Sequence, residues 1–191
     1  TVITFIGEPD YVISAAYNLY VKALECINMR NHKGEHPRMG SVDVCPLIPV
    51  LNVTMQDCIT YSNVLAKNIS KDLNIPIYMY EKSAKHESRA NLASIRSGEY
   101  EGFYNKIILK DWIPDYGAAK MNEVFGVSAI GAREFLIAYN INLNTHDKKI
   151  ATDIALDIRE IGRLKRDKNN NILKDKNGKN LRKKGKFKDC K

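Results

Sequence analysis

Two histidines, a carboxylate and three cations are packed into one short stretch, Arg30-Asn31-His32-Lys33-Gly34-Glu35-His36-Pro37-Arg38-Met39-Gly40. Histidine's unperturbed pKa of about 6.5 lets it take and return a proton near neutrality. Arginine offers carboxylates a bidentate fork. The stretch therefore reads as an acid/base site for an anionic substrate. One histidine, oriented by a neighbouring carboxylate such as Glu35, would move the proton, while Lys33 and Arg38 would attract carboxylates. A solvated surface loop is the competing reading. His32-Lys33-Gly34-Glu35-His36 also spells H-x-x-E-H, the pattern of one zinc protease class. That pattern needs an unbroken helix so that histidines four apart face one ion. Gly34 interrupts it, and Pro37 biases His36 away from helical angles.

The elements around this loop alternate between strand and helix patterns. Thr1 to Ile6 is β-branched and aromatic and ends at Gly7, as a strand would. Pro9 suits a helix start, and apolar residues from Val12 to Ile27 recur at helical spacing, so residues 9–29 are expected to be helical. Val42 to Val50 reads as an apolar strand. Pro46 and Pro49 place it at a sheet edge or a bulge, because proline cannot donate to a central ladder. Thr54 can cap a helix that ends near Leu73, with Met55, Ile59, Val64, Leu65 and Ile69 on or near one face. Pro76 to Tyr80 is a short strand. Residues 89–97 and 99–108 form two short helices around Gly98. A Gly/Pro/aromatic loop runs from Asp111 to Gly126, and Phe135 to Leu143 reads as a strand leaving the core. Asp147 starts a helix with Ile150, Ile154, Ala155 and Ile158 inward, ending at Gly162. This alternation argues for an α+β fold, an α/β sandwich with a mixed sheet packed by helices.

The totals narrow the classes. The 191 residues suffice for one medium domain or two small ones. No apolar run approaches the roughly 18 residues that span a bilayer, and no signal peptide opens the chain, so a cytoplasmic protein with no membrane partner is expected. The opening without Met, inside a strand pattern, suggests a fragment lacking its first element. Cys26, Cys45, Cys58 and Cys190 show no paired spacing and read as buried free thiols. The net charge of +8 is uneven: residues 1–162 carry 17 Lys+Arg against 19 Asp+Glu, and residues 163–191 carry 13 against 3. A basic tail on a near-neutral body suggests a flexible segment or a local anion site, with polyanion binding as an alternative function. Within Leu164 to Lys184, Asn177-Gly178 favours a two-residue turn, which leaves an exposed hairpin and a disordered stretch both open.

The run His32 to Pro49, HKGEHPRMGSVDVCPLIP, closely resembles the formiminotransferase domain of glutamate formimidoyltransferases and formiminotransferase-cyclodeaminases. Thr1 to Gly7, Ile95 to Glu101, Asp111 to Gly117 and Gly131 to Leu143 match in the same order, and the likeness extends to about Gly162. The resemblance implies transfer of the formimino group of N-formimino-L-glutamate to N5 of tetrahydrofolate, releasing glutamate, in histidine degradation. It implies tetrahydrofolate as co-substrate, no metal, no nucleic acid, and a homo-oligomer in the full-length protein. His36 matches the family's catalytic histidine, with Lys33, Glu35 and Arg38 as substrate contacts. Folate contacts fall on Gly117-Ala118-Ala119-Lys120-Met121-Asn122-Glu123-Val124-Phe125-Gly126 and on the Gly185 to Lys191 stretch, including Lys186 and Lys188. Ala118 stands where many relatives have proline. The implied fold is a ferredoxin-like duplication, with a first subdomain at 1–133, the start of a second at 134–191, and a basic insertion near 164–184.

Overall fold

A computed structural model describes residues 1–34, 36–137, 141–188 and 190. The chain divides into two compact units, Thr1–Leu136 and Ile137–Lys191. The fold is α+β, with parallel and antiparallel pairings in separate sheets.

The first unit opens with α1, Pro9–Cys26, which has proline in its first turn and Asp10 near its positive end. It stops three residues before the expected end. Ile27 turns extended, and a 3-10 turn at Met29–Asn31 follows. The strand β1, Val44–Leu47, leads to α2, Met55–Leu73. The start of α2 is a reciprocal box: Thr54 Oγ1 accepts from the Asp57 N–H at 3.1 Å, and Asp57 Oδ2 accepts from the Thr54 N–H at 2.9 Å. Leu65, Ala66 and Ile69 of α2 are buried, while Val64 faces outward. After β2, Ile77–Met79, come α3, Leu92–Arg96, and α4, Glu99–Lys106, separated by Gly98 at φ +90°.

The third strand, β3, Ser128–Ala132, lies between β1 and β2 and is parallel to both. The Ala129 and Arg133 N–H groups donate to the Asp43 and Leu47 carbonyls. Odd-numbered residues of β1 therefore face β3, and Pro46 turns its missing donor to the open edge, the position the prolines predict. Side chains alternate across the sheet. Ile77, Met79, Ile130 and Ala132 pack with α1 and α2. Tyr78, Tyr80 and Ala129 pack with Ile95, Tyr100 and Phe103 of α3 and α4.

Two strand expectations are corrected. Thr1 to Ile6 forms no ladder, and Val2, Ile3 and Ile6 are exposed. Its side chains suit a strand, but no described residue pairs with it. Similarly, the strand falls at Ser128–Ala132, ahead of the bulky run, and residues 135–137 and 141–143 are in no strand. Ala138, Tyr139 and Asn140 lie outside the described residues. All four cysteines are free, as expected, but only Cys58 is buried and Cys26 is exposed.

The second unit holds α5, Lys148–Ile158, capped by Asp147, and the antiparallel pair β4, Arg163–Leu164, and β5, Arg182–Lys183. No residue of α5 is buried, and Ile150 and Ile154 are exposed. This corrects the inward-facing expectation for Ile150, Ile154 and Ala155, while Ile158 is half-buried; Ile172, Leu173 and Leu181 are exposed as well. The basic stretch is an ordered array with an eight-residue repeat. Asp167 and Asp175 each accept from the backbone N–H groups two and four residues on. Leu173 N–H donates to Lys165, Leu181 N–H to Leu173, and Lys165 N–H to Leu181, closing a ring of three main-chain bonds.

Candidate functional site

The histidine loop enters β1 and the 117–126 stretch enters β3, so both reach the sheet at the amino ends of adjacent parallel strands. Their last residues are bonded together. Val127 N–H donates to the Met39 carbonyl at 3.0 Å, Ser41 N–H donates to the Phe125 carbonyl at 2.8 Å, and Gly40 bridges Gly126. The contact requires bare backbone. Gly126 adopts φ +89°, and a Cβ there would lie 2.7 Å from Gly40 Cα and well inside contact with the Met39 oxygen.

Within the loop, His32, Lys33 and His36 are exposed, and residues 32–34 and 36–40 are not helical. The helix face on which H-x-x-E-H would gather two imidazoles is therefore missing. Glu35 lies outside the described residues. His36 Nδ1 contacts the Pro37 carbonyl at 2.8 Å. A carbonyl only accepts, so Nδ1 carries the proton and Nε2 of the neutral ring is the acceptor.

His36 is exposed, whereas the Arg38 side chain is largely buried. Its Nη1 donates to Glu99 at 3.1 Å and Glu101 at 2.9 Å, and its Nη2 donates to Glu101 at 2.7 Å and to the His32 carbonyl at 3.1 Å. The guanidinium holds the Glu101 carboxyl below its ordinary pKa through these hydrogen bonds. One residue on, Met39 N–H donates to Asp43 Oδ1 at 3.0 Å, and Arg96 Nη2 donates to Asp43 Oδ2. Arg96 ends α3, whose last carbonyls are capped by Lys106 Nζ at 2.7 to 2.9 Å. The Lys106 ammonium also lies 3.8 Å from the Trp112 ring centre.

The 117–126 stretch is divided by burial. Gly117, Ala118, Ala119, Lys120 and Glu123 are exposed, whereas Met121, Phe125 and Gly126 are buried. Asn122 is a local brace: its Oδ1 accepts from Phe125 N–H at 2.9 Å, and its carbonyl accepts from Gly126 N–H at 2.6 Å. The Glu123 carbonyl accepts from Tyr100 Oη at 2.5 Å, and the Val124 carbonyl accepts from Met29 N–H at 2.8 Å. Behind it, the loop at Asp115 is locked by a buried pair. Arg89 Nη2 lies 3.2 Å from Asp115 Oδ1, Asp115 Oδ2 accepts from Met79 N–H at 2.7 Å, and Arg89 Nη1 donates to the Ile113 carbonyl at 2.7 Å.

A concavity of about 420 Å³ in this unit lies between α1 and α2, lined by Asp10, Tyr17 and Asp72 among others, and does not include His36. In the second unit Lys186 and Lys188 are exposed. Asp43, Arg96, Glu99, Glu101 and the Arg89–Asp115 pair are the site's supports that spacing along the chain did not single out. A carboxylate just ahead of an apolar strand, as at Asp43, is the one local signal.

Residues 1–133 match the family model described as the formiminotransferase domain, N-terminal subdomain. The chain belongs to the formiminotransferase family. It is 46% identical over 163 residues to the formimidoyltransferase-cyclodeaminase of Gallus gallus, covering 85% of this chain and 30% of that protein. Identity to the formimidoyltransferase-cyclodeaminase of Dictyostelium discoideum is 47% over 163 residues, with the same shares. To the glutamate formimidoyltransferase of Streptococcus pyogenes serotype M1 it is 44% over 162 residues, covering 85% of this chain and 54% of that one. The chain thus spans between about a third and about half the length of these formiminotransferase relatives.

Proposed function

We propose that the protein carrying this chain transfers the formimino group of N-formimino-L-glutamate to N5 of tetrahydrofolate, releasing glutamate, in histidine breakdown. The observation that carries this reading is the His36 ring on an exposed family loop, its Nδ1 2.8 Å from the Pro37 carbonyl, a contact that makes Nε2 the acceptor whenever the ring is neutral. The attacking amine must lose a proton, and the departing glutamate nitrogen must gain one. Nε2 of His36 can take the first and return the second. Both substrates carry carboxylates, which the exposed Lys33 ammonium would draw toward the loop, with Glu35 completing the polar set. The exposed part of the 117–126 stretch, Gly117, Ala118, Ala119, Lys120 and Glu123, is where a folate would find open surface. The family likeness further assigns folate contacts to Lys186 and Lys188 of the second unit. We further propose that the second unit begins the second subdomain, and that its repeat array is an insertion. The family match over residues 1–133 and relatives named glutamate formimidoyltransferase support the formimino transfer in this reading.

Replacing His36 by Ala in the full-length protein is expected to lower transfer to tetrahydrofolate by about 10²- to 10⁴-fold. Near-normal turnover would refute the assignment.

A further inference from the structure

We propose that Arg38 is the clasp of the histidine loop, a positioning residue that fixes His36 by joining Glu101, Glu99 and the His32 carbonyl, and does not hold a substrate carboxylate. This rests on the reading of His36 as the acid/base.

The donor count decides between the two roles. A guanidinium has five N–H donors: two on each Nη and one on Nε. All four Nη hydrogens are engaged within the chain, two on each nitrogen. The remaining donor, Nε, is buried and has no partner among the described residues. A substrate carboxylate could reach this guanidinium only by displacing Glu99, Glu101 or the loop's own carbonyl. The bond to the His32 carbonyl ties residue 38 back to residue 32, which closes the loop with His36 inside it. The Arg38 carbonyl accepts from Tyr100 N–H at 2.8 Å, so the same residue is also fixed through its backbone to α4.

The other half of the clasp is shaped for this purpose. Gly98 and Glu99 are successive left-handed residues, at φ +90° and +54°, and a glutamate rarely adopts that conformation. This turn starts α4 with both Glu99 and Glu101 directed at Arg38. The fork on Glu101 is bidentate, one Nη to each carboxylate oxygen, an arrangement lysine cannot reproduce.

In the full-length protein, Arg38→Lys, Arg38→Gln, Glu101→Gln and the double variant Arg38→Lys/Glu101→Gln separate the roles. A clasp predicts that each single change lowers kcat by about 10- to 100-fold, since a misplaced group of about 1 Å has that effect. KM for the formimino donor should stay within about twofold, and the double variant should be no worse than the worse single. Hydrogen exchange across residues 29–40 should speed up in every variant, while α2 and β3 stay protected. A rise in KM with kcat retained in the Arg38 variants, a silent Glu101→Gln, or unchanged exchange across 29–40 would each overturn the clasp. Glu101 is two-thirds exposed at its side chain, so its Gln variant separates the two roles even if the Arg38 variants fail to fold. If His36→Ala keeps its turnover, the proposed reaction fails on its own, and the exchange measurement still decides whether Arg38 holds the loop.

Discussion

Gly126→Ala should break the joint between the histidine loop and the 117–126 stretch. The residue sits at φ +89°, and its missing Cβ faces backbone: 2.7 Å to Gly40 Cα and closer still to the Met39 oxygen. Backbone cannot rotate aside as a side chain can, so the loop must retreat by about 1 Å to restore ordinary contact. Left-handed alanine costs roughly 1–2 kcal/mol. The retreat also breaks the Val127-to-Met39 and Ser41-to-Phe125 hydrogen bonds, at roughly 0.5–1.5 kcal/mol each. Together these give a loss of about 2–5 kcal/mol, a large part of a typical stability of about 5–15 kcal/mol. Urea unfolding of the full-length protein, followed by circular dichroism, reads the loss as a lower midpoint at constant slope. Gly102→Ala is the internal control, since Gly102 lies in α4 with no atom within 4 Å of a built Cβ. It should stabilise by about 0.5–1 kcal/mol, because alanine is the better helix former. If Gly126→Ala unfolds within about 0.5 kcal/mol of wild type, or if Gly102→Ala is equally damaging, the joint is not held by backbone contact and the reasoning fails.

Two further outcomes follow from the site's charges. Asp115→Asn leaves the Arg89 guanidinium buried beside a neutral partner. Both side chains are only 3% exposed, so the expected loss is about 3–5 kcal/mol, and a shift below about 1 kcal/mol in a urea titration would contradict it. The Glu101 carboxyl is held below its ordinary range by Arg38, so its contribution is complete above the unfolded value of about 4.3 and is lost as pH falls through the lower folded value. Exchange across residues 29–40, corrected for intrinsic rates, should therefore stay flat from pH 8 to about 5 and rise only in more acid solution. Opening that begins near pH 6.5 would point to a histidine in place of the carboxylate.

The parts of the fold that were legible in the chain are those fixed by near neighbours. Thr54 and Asp57 announce the start of α2 because the reciprocal cap needs only that three-residue spacing. Pro46 announces an edge because its missing donor must face away from any partner. The central strand was hidden for the opposite reason. Ser128-Ala129-Ile130-Gly131-Ala132 lacks the bulk that marks a strand, since a Cβ at Gly131 would lie 2.8 Å from the Tyr80 ring and closer to the Tyr80 carbonyl. Tight packing between β3 and the chain after β2 selects small residues there, and the bulkier run from Phe135 then draws the strand reading to itself. Thr1 to Ile6 shows the converse, since β-branched residues make a strand only when a ladder partner is present.

The histidine loop combines both cases. Its density of titratable groups is a property of the sequence and marked the place. The direction of each charge depends on Glu99 and Glu101, 61 and 63 residues further on, and on Arg96, 53 residues beyond Asp43. Lys33 and Arg38 look alike as cations flanking His36, yet one ammonium is exposed and the other cation's Nη donors are all taken by the protein. A carboxylate substrate would meet Lys33 without displacing any bond seen here, and would meet Arg38 only at the cost of the bonds that close the loop. Of the two cations that flank His36 along the chain, therefore, the one with the better fork for carboxylates is the one assigned to the scaffold.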